Sequence, residues 1–90
     1  MQDNFLFGSY RNNLREGVWE HFYENGNLES IMNFVNDKFE GVHEQYKIDG
    51  SMERQVSFKD GVAISGKKYD NYGIPRDMTR AELYNEYNKK

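Results

Sequence analysis

Hydrophobic and polar residues alternate along this chain in short runs, which are separated by pairs rich in Gly, Asn and Asp. Such alternation is typical of β-strands, and pairs of this composition favour tight turns. The pattern predicts strands over residues 18–24, 28–35, 42–48 and 52–59. Asn25-Gly26 and Asp49-Gly50 predict type I′ turns within the two strand pairs, because both residue types tolerate positive φ. The chain is therefore predicted to form successive β-hairpins.

The hairpin pattern recurs at an interval of 24 residues, so that residues 41–61 align with residues 17–37. The return turns predicted between hairpins keep the same spacing and lie at Asn12-Asn13, Asn36-Asp37 and Asp60-Gly61. A fixed period of this length indicates a repeat architecture. We interpret residues 1–90 as one domain made of a half repeat (4–16), two repeats (17–40 and 41–65), a half repeat (66–73) and a C-terminal segment.

Alternation within each strand assigns side chains to the two faces of the predicted sheet. The packed face is expected to carry an apolar stripe that both copies share: Val18, Phe22, Leu28, Met32 and Phe34, with their equivalents Val42, Tyr46, Met52, Val56 and Phe58. The opposite face of the first copy carries Trp19, His21, Tyr23, Glu29, Ile31, Asn33 and Val35. The equivalent positions of the second copy are mostly polar, which indicates a solvated surface there.

Four residues on this opposite face form the candidate partner-binding set: Trp19, Tyr23, Ile31 and Val35. A contiguous apolar patch that contains Trp and Tyr is typical of an anchor for a binding partner. Phe5 and Phe7 would enlarge the patch if they align on the same face. Three occupants remain open at the level of sequence: the C-terminal helix of the same chain, a second copy in a homodimer, and a foreign protein.

The C-terminal segment departs from the strand pattern after Pro75, which breaks it. Thr79 and Glu82 have the spacing of a capping box, and apolar residues follow at helical spacing. We therefore predict a short α-helix over about residues 79–88. This helix either protects an open edge of the sheet or lies across one of its faces. The fold class is thus mainly β, a single antiparallel meander of hairpin repeats with a short C-terminal helix.

The recurring residues resemble the MORN repeat, and more closely the MORN-variant repeat of bacterial YwqK-type antitoxin components. The resemblance rests on a recurring order of residues: Glu-Gly, an aromatic residue, Asn-Gly or Asp-Gly, and Leu or Met. The first copy has Glu16-Gly17, Phe22, Asn25-Gly26 and Leu28. The second copy has Glu40-Gly41, Tyr46, Asp49-Gly50 and Met52. Tyr69 and Gly73 begin a third, incomplete copy. The resemblance implies a non-enzymatic protein-interaction or scaffold module, with an antitoxin or immunity-like role. Phospholipid-headgroup binding is the alternative that it implies.

Candidate catalytic groups are few. Glu20 and Glu44 occupy equivalent positions, are assigned to the packed face, and are expected to lie at a strand edge or to pair with Arg54. His21 and His43 are expected to be exposed strand histidines, since no third ligand at metal-binding spacing accompanies them. We therefore predict no enzymatic activity, no metal and no cofactor.

Composition and charge narrow the classes of partner. The net charge is −3, which argues against a nucleic-acid partner and makes docking to an anionic membrane unfavourable. The chain has no cysteine, and its first residues lack the features of a signal peptide. We accordingly expect a cytoplasmic protein that binds another protein or itself.

Overall fold

The structure is a computed structural model that describes the backbone of residues 5–89. The strands are β1 (Phe5–Arg11), β2 (Leu14–Phe22), β3 (Leu28–Val35), β4 (Lys38–Phe39), β5 (Gly41–Tyr46), β6 (Met52–Lys59), β7 (Val62–Tyr69) and β8 (Pro75–Asp77). Helix α1 (Arg80–Leu83) follows and continues into a π-helical turn (Tyr84–Asn88). The boundaries of β3 and β6 agree with the prediction, whereas β2 begins four residues earlier than predicted.

Within residues 5–89 the strands form one antiparallel sheet in which each strand pairs with its neighbours in sequence. β4 and β5 flank Glu40 and both pair with β3, so they act as one interrupted strand. The predicted fold class, a meander of β-hairpins with a short C-terminal helix, is confirmed. This arrangement brings residues about 24 apart onto every second strand of the sheet.

The type I′ geometry predicted within the hairpins is found in the return turns between them. The return turns have positive φ at both residues, as in Asn36 (49°) and Asp37 (70°), which is the requirement of a type I′ turn. In the Asn25-Gly26 loop only Gly26 has positive φ (93°), and its N–H donates to the carbonyl of Tyr23 at 3.0 Å. The prediction of a type I′ turn at Asn25-Gly26 is therefore wrong. That loop has three residues with Gly at the left-handed position.

A β-bulge reverses the face assignment of β2. Phe22 pairs with Leu28 beside the loop, but the register then shifts by one residue, so that Trp19 pairs with Met32. Trp19 consequently shares a face with Met32 and Phe34, whereas Val18 points to the other face and is 59% exposed. A one-residue shift exchanges the two faces of a strand beyond that point. The predicted packed face was thus wrong for Val18, Phe22 and Leu28, and a matching bulge makes it wrong for Val42, Tyr46 and Met52.

The C-terminal segment lies across the face of the sheet that carries Phe34 and Phe58. Its buried residues Met78 and Leu83 form the core with a group of sheet residues: Val56, Phe58 and Ala63. Thr79 caps α1 and forms the predicted capping box with Glu82. Of the two placements considered from sequence, the helix has therefore taken the sheet face, where its apolar side covers the second repeat.

Candidate interaction surface

A groove of about 270 Å³ lies over the first repeat, on the same face of the sheet as the C-terminal helix. Its lining residues come from three adjacent strands: Leu6 and Tyr10 of β1, Arg15 and Trp19 of β2, and Met32 and Phe34 of β3. Trp19 and Phe34 are buried in its floor, while Leu6 (54% exposed) and Tyr10 (66% exposed) stand at its rim. The groove therefore combines a packed aromatic floor with an accessible apolar edge.

Trp19 is fixed in the floor by contacts on several sides. Its ring meets Tyr10 edge-on at a centroid distance of 5.1 Å and Phe34 at 5.9 Å. Its indole Nε1 donates a hydrogen bond to the carbonyl of Ser9 at 3.1 Å. Gly8 lies directly against the indole, and a Cβ atom at that position would overlap the ring. Trp19 is thus a preorganised part of the groove and has little freedom to move.

Arg15 closes one end of the groove. Its guanidinium carbon lies 4.3 Å from the centre of the Phe34 ring, and its Nε donates to the carboxylate of Asp37 at 2.5 Å. This hydrogen bond holds the pKa of Asp37 below its ordinary value. The guanidinium is therefore held over the aromatic floor by a partner in the next return turn, which gives the groove a polar end.

The corresponding surface of the second repeat is covered by the chain itself. His43 and Phe58 occupy the positions of Trp19 and Phe34, 24 residues later, and the Tyr87 ring lies 6.5 Å from His43 and 5.4 Å from Phe58. Phe39 stacks between Phe34 and Phe58 at 5.0 and 4.8 Å, so the aromatic row continues from the open groove beneath the helix. The two repeats therefore present one continuous face, of which the C-terminal segment covers half.

Polar contacts fasten this cover to the sheet. Asn88 pairs with the backbone of Ala63, donating to its carbonyl at 3.0 Å and accepting from its N–H at 2.9 Å. Glu86 forms ion pairs with Arg54 and Lys68. The hydrogen bond from Lys68 is the main cause that lowers the pKa of Glu86. The covered half thus shows how an amphipathic segment with acidic residues docks on this face.

The structure does not bring the four residues of the predicted binding set together. Trp19 lies in the groove, but Ile31 pairs with Glu20 and Glu44 on the opposite face, and Val35 lies at the end of β3. Tyr23 has a structural contact, because its hydroxyl donates to the carbonyl of Tyr46 at 2.7 Å and so ties the first hairpin loop to the second. Burial is the main cause that raises the pKa of this hydroxyl.

The histidines and paired glutamates also differ from their predicted positions. His43 is half-buried in the aromatic row, stacked on Phe39 at 5.3 Å, and burial together with nearby Arg54 lowers its pKa. His21 lies on the groove face, with its Nδ1 3.5 Å from the carboxylate of Glu29. Glu44 lies on the opposite face from Arg54 and accepts hydrogen bonds from Tyr46 and Gln55. The predicted pairing with Arg54 was therefore wrong.

Because of the bulge in the β2–β3 pair, Glu20 lies on the face opposite the C-terminal helix. Glu20 pairs with Phe7 of β1 and with Ile31, on the side where Phe7 contacts Phe22 edge-on at 5.8 Å. Phe7 therefore cannot extend a patch that contains Trp19, and the side chain of Phe5 lies outside the described residues. Within residues 5–89 no cluster of three or more His, Asp or Glu side chains has metal-binding geometry.

Sequence reasoning missed Leu6, Tyr10, Arg15, Met32 and Phe34 as groove residues. The sequence contained a signal for two of these residues, Tyr10 and Arg15. A two-residue turn at Asn12-Asn13 pairs Tyr10 with Arg15, and this pairing places both at the groove. The remainder depended on the bulge beside the first hairpin loop, which no alternation rule locates.

Comparison with known proteins adds one match. Residues 15–36 match the family described as the MORN repeat variant. The matched segment contains β3 and nearly all of β2. No curated protein and no solved structure matches the chain. MORN repeats are generally non-catalytic modules that bind proteins or membranes. None of the helical segments among residues 5–89 is long and apolar enough to cross a membrane.

Proposed function

We propose that this protein is a non-enzymatic module that binds a segment of another protein in the groove over its first repeat. The observation that carries the proposal is the contrast between two equivalent surfaces. The surface of the second repeat is covered by the amphipathic C-terminal segment, whereas that of the first repeat is open, with Leu6 and Tyr10 of the preceding half repeat exposed above its aromatic floor. An aromatic groove of this kind matches the buried centre of known protein interfaces.

The groove is suited to binding because its floor needs little rearrangement. Trp19 is held by Gly8 and by its hydrogen bond to Ser9, so a ligand does not have to order it. Preorganised side chains reduce the entropic cost of association. An apolar side chain of the partner would fill the space between Met32 and Tyr10, and a carbonyl or carboxylate of the partner would meet Arg15.

The class of protein partner follows from resemblance alone. The likeness to YwqK-type antitoxin components favours a toxin or effector as the ligand, and an immunity-like role for the module. Phospholipid binding is the competing function of such repeats. The net charge of −3 and the apolar character of the groove both favour a protein ligand over an anionic headgroup.

The experiment places a photo-crosslinking amino acid at Tyr10 in the native host and, as a control, at Val42 on the opposite face. A partner captured from Tyr10 is then purified and its affinity measured by calorimetry.

Met32→Gln keeps the size of the side chain while making the groove polar, and we expect it to weaken binding roughly tenfold, since it removes one buried apolar contact. Val42→Thr is the matched change on the other face and should leave the affinity unchanged.

Two results would contradict the proposal. One is a partner whose affinity falls with Val42→Thr and not with Met32→Gln. The other is flotation of the purified protein with anionic liposomes at low salt together with no protein captured from Tyr10. Circular dichroism of both variants at the assay temperature establishes that each remains folded.

A further inference from the structure

The two edges of the sheet differ in how they are protected. At one edge, β8 has three residues, begins with Pro75 and leads directly into the capped helix. At the other edge, β1 has seven residues and, within residues 5–89, pairs only with β2. It carries no proline and no charged residue before Arg11. Short strands, proline and charge are the usual protection against edge-to-edge pairing. β1 has none of these over most of its length.

The outer edge of β1 offers backbone groups that are unpaired within residues 5–89. The pairing of β1 with β2 shifts register between Phe7 and Ser9, but the extra residues of this irregularity belong to β2, so the alternation along β1 is uninterrupted. Asn12 and Asn13 form a two-residue turn, so Arg11 and Leu14 are the hydrogen-bonded pair next to the turn. The backbone N–H and C=O groups of Arg11 and Ser9 therefore face β2. Alternation then directs the N–H and C=O groups of the even-numbered residues away from the sheet. These residues are Leu6, Gly8 and Tyr10. Such a ladder is complete only when another strand lies beside it.

We propose that β1 pairs with β1 of a second copy of this chain, in antiparallel orientation about a two-fold axis through Gly8. Leu6 then lies opposite Tyr10 of the second copy, and Phe7 lies opposite Ser9 of the second copy. This interface goes beyond the proposed binding of a foreign protein, because it uses the sheet edge and not the groove floor. The result is one continuous sheet with the two grooves side by side on the same face.

Self-pairing is favoured over pairing with an unrelated strand because β1 is complementary to itself. In the register centred on Gly8 an apolar residue meets an aromatic residue twice on the groove face, and no like charges oppose each other within residues 6–10. Leu6 (54% exposed) and Tyr10 (66% exposed) are the side chains that this pairing buries. Gly8 lies opposite Gly8 of the second copy at the axis, so no side chains have to be accommodated there.

Sedimentation equilibrium tests the association over about 1 µM to about 1 mM of the full chain. We expect a mass approaching twice the 10.7 kDa of one chain as the concentration rises. The double variant Leu6→Lys/Tyr10→Lys places like charges at the new strand pair and should raise the dissociation constant at least about tenfold. Val42→Lys/Ile48→Lys, at exposed positions away from β1, is the matched control and should leave it unchanged.

A crosslink tests the register independently of affinity. The chain contains no cysteine, so Phe7→Cys/Ser9→Cys introduces the only thiols. Residues 7 and 9 of the second copy form a non-hydrogen-bonded pair in the proposed register, where Cβ atoms come close enough for a disulfide. We expect the double variant to form a covalent dimer under mild oxidation and each single variant to remain mostly monomeric.

Three outcomes would overturn the inference: a mass of one chain throughout the concentration range, a dimer that only Val42→Lys/Ile48→Lys weakens, or equal crosslinking of the single and double cysteine variants. The Met32→Gln variant separates this inference from the proposed function. It weakens groove binding without changing a residue of β1, and should therefore dimerise like the original chain.

Discussion

Trp19 and His43 stand at equivalent positions of two repeats, yet they meet different surroundings. Trp19 is enclosed by Tyr10, Phe34 and the backbone of β1, and lies at the floor of an open groove. His43 is stacked in the same aromatic row but is covered by Tyr87. The same repeat position thus lies in the floor of an open groove in one copy and beneath the C-terminal segment in the other.

The first prediction concerns Trp19. Its replacement by Ala should lower the free energy of unfolding by about 3–5 kcal/mol, because a large buried ring is lost and a cavity remains. Urea denaturation followed by far-UV circular dichroism measures the change. Val18→Ala, at the adjacent exposed position on the other face, should change it by less than about 0.5 kcal/mol. An equal effect of the two substitutions would show that Trp19 is not part of the core.

His43 gives a prediction on pH. Burial and Arg54 lower its pKa in the folded protein below the ordinary 6.5, so the unfolded chain binds the proton more readily. The contribution of His43 to the free energy of unfolding should therefore be constant above pH 6.5. It should fall as the pH decreases from 6.5 towards the pKa of His43 in the folded protein. The carboxylates with lowered pKa values, such as Asp37 and Glu86, contribute losses only below about pH 4.5.

Chemical denaturation at pH 7.5 and pH 5.5 measures this dependence. His43→Phe retains the ring in the stack, and the buried Nδ1 of His43 has no hydrogen-bond partner among residues 5–89 to be lost. We expect the variant to lose most of the difference in stability between the two pH values. His21→Gln is the control and should keep the difference, since His43 is retained. A difference that disappears only in His21→Gln would refute the assignment.

The hairpins are joined to one another by a recurring side-chain contact. Glu16 accepts a hydrogen bond from the backbone N–H of Asn36 at 3.1 Å, and Glu40 accepts one from Asp60 at 2.9 Å. In each case the glutamate precedes a glycine with positive φ, which lets the strand bend towards the next return turn. The Glu-Gly pair of the repeat is therefore a link between successive hairpins.

Glu40 tests this link. Glu40→Ala should destabilise the protein by about 1–2 kcal/mol, because the N–H of Asp60 loses a charged acceptor. Glu40→Gln keeps a carbonyl oxygen in place and should recover part of the loss. Glu24→Ala, in an exposed loop, provides the baseline for removing one surface carboxylate. Thermal unfolding of the three variants gives the comparison, and equal melting temperatures for Glu40→Ala and Glu24→Ala would contradict the role of Glu40.

Docking of the C-terminal segment depends in part on one amide. Asn88→Ala removes the two hydrogen bonds to Ala63, and we expect a loss of about 1–3 kcal/mol because half-buried backbone groups are left unsatisfied. Asn85→Ala, one turn earlier and exposed, should have little effect. Hydrogen exchange at the Ala63 N–H reports the docking directly, and protection that persists in Asn88→Ala would show that Asn88 is not the clamp.

The whole molecule consists of one sheet with a helical cover on half of one face. The molecule measures 39 × 31 × 21 Å. Among the described residues, the core cluster beneath the cover is formed by residues of β6 and β7 together with Met78 and Leu83 of the C-terminal segment. A single sheet needs such a second layer to bury an apolar face. We therefore expect the fold to depend on this cover.

Removal of residues 78–90 tests this dependence. The truncated chain should lose its cooperative thermal transition, because Phe58 and Val56 would be left without their cover. Removal of Lys89 and Lys90 alone retains Asn88 and should leave the transition in place. Differential scanning calorimetry distinguishes the two. A sharp transition at an unchanged temperature in the longer truncation would contradict the role of the segment.

Much of the fold was predictable because its signals are local. The Gly at position 26, the paired polar residues at positions 36 and 37, and the capping box at Thr79 each act within a few residues. The groove was not predictable in the same way. The residues that line it depend on whether β2 places Val18 or Trp19 on the face that carries Phe34. One extra residue in β3 decides this.

The sequence by itself determined the strand meander, its period and the short C-terminal helix, since hydrophobic alternation and turn residues act along the backbone. Only the tertiary structure decided which face is packed, where the helix lies, and which half of the aromatic row stays open. Those features depend on register and on the competition of distant segments for the same apolar surface. Trp19 shows the difference, since its place in the chain marked it as a partner anchor and its strand pairing made it the floor of the groove.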